Sequence, residues 1–93
     1  MLAKPLFVPL KGEWFDKFAD GSKDVEYRKH GPGWNERTVY AGRRVTLSRG
    51  YSGARLDAVV VSFELVKARD VPRATEIYPP DATLIAVKLN VRR

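Results

Sequence analysis

The sequence predicts a small, mostly-β fold: a barrel of about five to six short strands with one short helix near the N-terminus. Three observations lead there. Short runs in which apolar and polar residues alternate are separated by Gly- and Pro-containing turn signals, which is the pattern of half-buried strands. Only one stretch, residues 13–20, has the spacing of a helix. The chain has 93 residues with a 44% hydrophobic fraction, enough for one core and too short for two, so residues 1–93 are expected to form a single domain.

In chain order, Leu6-Phe7-Val8-Pro9-Leu10 reads as an opening strand. Pro9 has no N–H and confines that strand to an edge, an end or a bulge. Residues 13–20 follow as a helix, with Trp14, Phe15 and Phe18 expected on one side as a plug for the barrel. Gly21 is suited to end it in the left-handed conformation. The period then changes. In Lys23-Asp24-Val25-Glu26-Tyr27-Arg28, Val25 and Tyr27 share one face, and Glu26 and Arg28 share the other. Residues 30–37 contain two glycines around Pro32 and read as a loop, in which Trp34 is either a stacking platform or a lid on the core. Arg43–Arg49 is a strand with Val45 and Leu47 opposite Thr46 and Ser48, and Gly50-Tyr51-Ser52-Gly53 is a turn. Arg55–Val66 is the longest strand, with Val59, Val61, Phe63 and Leu65 expected toward the core. Pro72, Pro79 and Pro80 limit residues 67–81 to a helical turn at most. Ala82–Val91 closes the chain as a strand whose core face carries Ile85, Val87, Leu89 and Val91.

The candidate site is the stretch Gly21–Arg28. A carboxylate and a guanidinium two residues apart on one strand face, with an ammonium just before them, form a compact charged group. Arg28 offers a planar fork for phosphate or carboxylate. Glu26 is able to accept from a base edge or to act as a general acid or base. Lys23 reaches a phosphate or, when desolvated, loses its proton and acts as base or nucleophile. On the alternation alone, Glu26 and Arg28 lie away from the core, so replacing either is expected to cost little stability. Thr46 and Ser48 are expected to line the same cleft as Glu26, with Trp34, Arg37 and Tyr51 at its rim as stacking and phosphate contacts, and Arg49 beside Tyr51.

Gly21-x-Lys23-x-x-Glu26-x-Arg28, placed after the Trp14-Phe15 and Phe18 helix, resembles the ASCH domains, which share a small barrel with the PUA RNA-binding domains. Gly31-Pro32-Gly33-Trp34-Asn35-Glu36-Arg37 and Arg49-Gly50-Tyr51 are similar to segments of short phage and bacterial ASCH-type proteins. The resemblance spans roughly the first two thirds of the chain and implies a PUA-like barrel with an RNA- or nucleoside-related role. Some small ASCH proteins are amidohydrolases acting on N4-acetylcytidine, with a catalytic lysine, a threonine three residues after it and a glutamate much later. Lys23 matches the lysine. Glu26 stands where they carry threonine, and Glu64 and Glu76 are the later glutamates available.

Charge and composition narrow the classes further. A net charge of +6 favours an anionic partner. With no cysteine there is neither a disulfide framework nor a thiolate metal site, and the single histidine, His30, makes no His pair. No zinc, phosphate-loop, dinucleotide or acidic-cluster motif occurs, so no metal and no cofactor is expected. Met1–Pro5 lacks the apolar core of a secretion signal, and no apolar run approaches the ~20 residues of a membrane span, so a soluble cytoplasmic protein is expected. The leading expectation is therefore binding of RNA or a nucleotide in a basic cleft around Lys23, Glu26 and Arg28. One alternative is a small hydrolase deacylating a modified nucleoside such as N4-acetylcytidine, with Lys23 and Glu26 catalytic. Another is a protein–protein module of a phage or mobile element.

Overall fold

The computed structural model describes residues 4–92; the reading of the N-terminus therefore rests partly on residues 1–3, which lie outside it. Five strands form one sheet: β1 (Leu6–Leu10), β2 (Val25–Lys29), β3 (Arg44–Arg49), β4 (Arg55–Lys67) and β5 (Thr83–Val91). The single α-helix among the described residues, α1 (Gly12–Asp20), lies between β1 and β2. Spatial order is β1-β3-β4-β5-β2, with β1 parallel to β3 and every other pairing antiparallel. The sheet curls into a half-barrel, and the mostly-β fold with one short helix is as expected. No helix among the described residues is long and apolar enough to cross a membrane.

The core lies on the concave face. Val8 and Leu10 of β1, Val45 and Leu47 of β3, Ala58 and Val60 of β4, and Val87, Leu89 and Val91 of β5 are all buried there. Phe15 and Phe18 of α1 complete it. Gly21 ends the helix at φ 86°, in the left-handed region, as its sequence position predicts. Trp14 departs from expectation: it is 37% exposed, outside the plug formed by Phe15 and Phe18. On a helix, Trp14 is adjacent to Phe15 but about 100° round the axis from it, so only one of the two faces inward.

β4 shows a second departure. Val61 and Leu65, expected in the core, are 47% and 50% exposed, whereas Ala58 and Val60 are buried. A register shift between Val60 and Ser62 explains Val61, whereas Leu65 keeps the core-side register opposite Ile85 but is exposed near the end of the strand. One extra residue there inverts the inward–outward alternation, so even-numbered residues face the core before the bulge and odd-numbered ones after it. Phe63, paired with Val87, does pack against the core as expected. Beyond the bulge the convex face carries a smaller cluster, in which Leu84, Val66 and Tyr27 pack against Ala68 and Ala74. The last two belong to 3-10 turns, Ala68–Asp70 and Ala74–Glu76, in the irregular segment before β5.

β1 and β2 are the terminal strands of the half-barrel, and their edges define its seam. Pro9 sits on that edge strand, where a missing N–H breaks no ladder. Across the seam, the Arg28 guanidinium of β2 donates through Nη2 to the Pro9 carbonyl of β1 at 3.3 Å. A side chain thus does part of the work that strand pairing would do in a closed barrel.

Candidate functional site

The site forms at this seam because β2 directs its charged face inward. Glu26 pairs with Val87 and Arg28 with Ile85, and directly opposed residues share a face. The expectation that Glu26 and Arg28 lie away from the core is thereby corrected. Glu26 is only 8% exposed, and Val25 and Tyr27 are the pair that faces outward. Alternation alone assigns two faces but does not say which one the rest of the sheet covers.

The Glu26 carboxylate sits between two cations. Arg28 Nε donates to Oε2 at 2.8 Å, a charge-assisted hydrogen bond. Lys23 Nζ lies 3.9 Å from Oε1, close enough for ion pairing but too far for a hydrogen bond. Both cations also rest on aromatic rings. The Arg28 guanidinium is 4.8 Å from the Trp34 ring centroid. The Lys23 ammonium is 5.3 Å from Trp14, 5.5 Å from Phe18 and 5.8 Å from Tyr27. Lys17, one turn after Trp14 on the helix, lies 4.9 Å from the same indole. Two cations against one carboxylate leave the group positive.

Trp34 is held over this group by a braced loop. The Asn35 amide donates from Nδ2 to the Gly31 and Pro32 carbonyls at 2.8 and 3.0 Å, and its Oδ1 accepts from the Arg37 N–H. Val39 anchors the far side of the loop in the core. Arg43 donates to the Thr38 carbonyl and to that of Lys4, tying the loop to the start of β1. Below Trp34 the interior is lined by Leu6, Val8, Val39, Val87 and Leu89, with Glu26 the charged group among them. Trp34 is therefore both lid and platform: half-buried against the core and stacked with Arg28.

Burial of the Lys23 ammonium lowers its pKa from the usual lysine value. Glu26 opposes this by holding the proton on, Lys17 adds to the lowering, and Asp24 opposes it. A lysine with a depressed folded-state pKa binds fewer protons than in the unfolded chain between that pKa and about 10.4, so stability rises with pH across that window. Lys23→Met keeps the aliphatic packing but cannot titrate. Its stability relative to wild type is expected to be most favourable at neutral pH and to decline toward pH 10, measured by thermal melts at several pH values. A difference independent of pH would show that Lys23 is not desolvated.

The remaining candidates lie elsewhere. Thr46 and Ser48 lie on the opposite face of the sheet from the buried Val45 and Leu47, and so do not share a cleft with Glu26. Ser48 is buried and accepts a hydrogen bond from Arg55. Tyr51 is 80% exposed in the β3–β4 turn. Arg49 is engaged by Asp16 of α1, whose carboxylate raises the arginine pKa. Arg37 is exposed two residues beyond Asn35. Glu64 is exposed on β4, and Glu76 pairs with Arg73, so neither joins Lys23. Trp14, Lys17 and Arg43 belong to the site or its frame although their sequence positions alone do not place them there. The Trp14–Lys17 spacing of three residues on a helix was the available signal for the first two.

No protein-family model and no curated protein matches this chain.

Proposed function

We propose that this chain is an ASCH-type, PUA-like domain that binds a nucleotide of single-stranded RNA at the β1–β2 seam. The observation that carries this reading is the pair of cations, Lys23 and Arg28, held by one buried carboxylate and each seated on a tryptophan ring. Burying an ion pair is a poor source of stability, since desolvation offsets most of the attraction. The arrangement does suit a nucleotide: the cations take phosphate, the exposed part of Trp14 and the Trp34 platform stack a base, and the Glu26 carboxylate accepts from an amino edge. The Gly21–Arg28 motif and the small half-barrel with an N-terminal helix support the same family reading.

A nucleoside deacylase is favoured by one observation, the lowered pKa of Lys23. Against it, Glu26 faces Lys23 where those hydrolases carry threonine, and neither Glu64 nor Glu76 joins the lysine. Titration of a labelled mixed-sequence RNA at two salt concentrations tests the binding reading. Affinity is expected to fall steeply with salt, because each phosphate contact releases counterions. Incubation with N4-acetylcytidine is expected to yield no cytidine by chromatography. Turnover that disappears in Lys23→Met would replace binding with catalysis as the function.

A further inference from the structure

The convex face of β1, β3 and β4 is built differently from the seam. Phe7, Thr46 and Asp57 form one row across these strands, and Pro9, Ser48 and Arg55 form the next. Phe7 is 44% exposed there, with the Arg55 guanidinium 5.1 Å from its ring centroid. Arg55 is fixed in place by the Ser48 hydroxyl and by the Gly53 and Tyr51 carbonyls, so the aromatic–guanidinium pair is preorganised. Gly53 makes this possible, since a Cβ at that position would run into the Arg49 carbonyl oxygen. Beside Phe7 is a hollow of about 190 Å³ lined by Pro5, Arg44, Thr46, Asp57, Val59 and Arg92. Two arginines and one acid thus line the hollow, on a sheet face that also carries an exposed ring. The smaller apolar cluster covers only the other end of this face.

We propose that this face is a second contact surface for the same single-stranded RNA, with a base stacked on Phe7 and a backbone phosphate in the hollow between Arg44, Thr46 and Arg92. The proposal rests on RNA binding at the seam and extends it. Charge complementarity selects the occupant: among the described residues the hollow is lined by two arginines against one acid, a balance that favours a phosphate backbone over an apolar partner. An exposed ring on a sheet is a stacking platform that tolerates any base. β1 connects the two surfaces, since Leu6 and Val8 face the interior beneath Trp34 while Phe7 faces outward. A strand bound at the seam reaches the second surface by crossing this single edge strand.

The test is fluorescence anisotropy with a mixed-sequence single-stranded RNA of about 12 nucleotides and with a trinucleotide, because binding over two surfaces requires length. Phe7→Ala is expected to weaken the longer RNA about tenfold and to leave the trinucleotide unchanged. Arg92→Ala is expected to lower the salt slope of the longer RNA by about one, the signature of one lost phosphate contact. Equal effects of Phe7→Ala on both lengths, or none on either, overturn the proposal. So does concentration-dependent dimerisation of wild type in sedimentation that Phe7→Ala abolishes, which would assign the face to a second copy of the chain. A trinucleotide that binds with no gain from length removes the second surface alone. Wild-type protein that binds neither RNA removes both this surface and RNA binding at the seam.

Discussion

Glu26→Ala is expected to lower the free energy of unfolding by about 2–4 kcal/mol, measured by urea denaturation at neutral pH. The substitution removes the anion between Lys23 and Arg28, two cations that are themselves mostly shielded from water. Arg28 then loses the acceptor for its Nε, and the two positive charges face each other across the space the carboxylate filled. The lost carboxylate also leaves a void beside Val87 and Trp34, which adds a packing penalty. Glu26→Gln keeps the shape and one acceptor for Arg28 but not the charge, so its cost should be smaller, about 1–2 kcal/mol. A loss below about 0.5 kcal/mol in Glu26→Ala, the range of an ordinary surface change, would show that the carboxylate does not hold the two cations.

Arg28→Ala is expected to reduce affinity for single-stranded RNA by about ten- to a hundredfold, in line with loss of a stacked, phosphate-facing cation. Arg28→Lys discriminates between charge and shape. A lysine keeps the positive charge but has no planar fork with which to reach the Glu26 carboxylate and the Pro9 carbonyl while lying on Trp34. Its affinity should fall by about tenfold while its salt slope stays near that of wild type, whereas in Arg28→Ala the slope should drop by about one. Circular dichroism of both variants checks that the seam still assembles. If Arg28→Lys binds RNA as wild type does, the guanidinium contributes only its charge, and the stack on Trp34 is not part of recognition.

These two results address different properties of one motif, and they separate what is local in this protein from what is not. Residues close in sequence set the elements: the Gly21 stop, the alternation around Glu26, the Pro9 edge position and the core face of β5 through Ile85, Val87, Leu89 and Val91 all follow from short-range periodicity and backbone preference. The motif Lys23–Glu26–Arg28 was legible for the same reason, since three charged residues within six positions must be neighbours whatever the fold. Its orientation was not. Whether Glu26 faces solvent or core depends on β5 pairing with β2 and on α1 closing the concave side, contacts made between residues some sixty positions apart. The β4 bulge is a second case, because one extra residue inverts the alternation only when a partner strand fixes the register. The separation of Thr46 and Ser48 from Glu26 has the same origin. The two faces of a strand can be read from its own residues, but which face becomes the interior is decided by what packs against it.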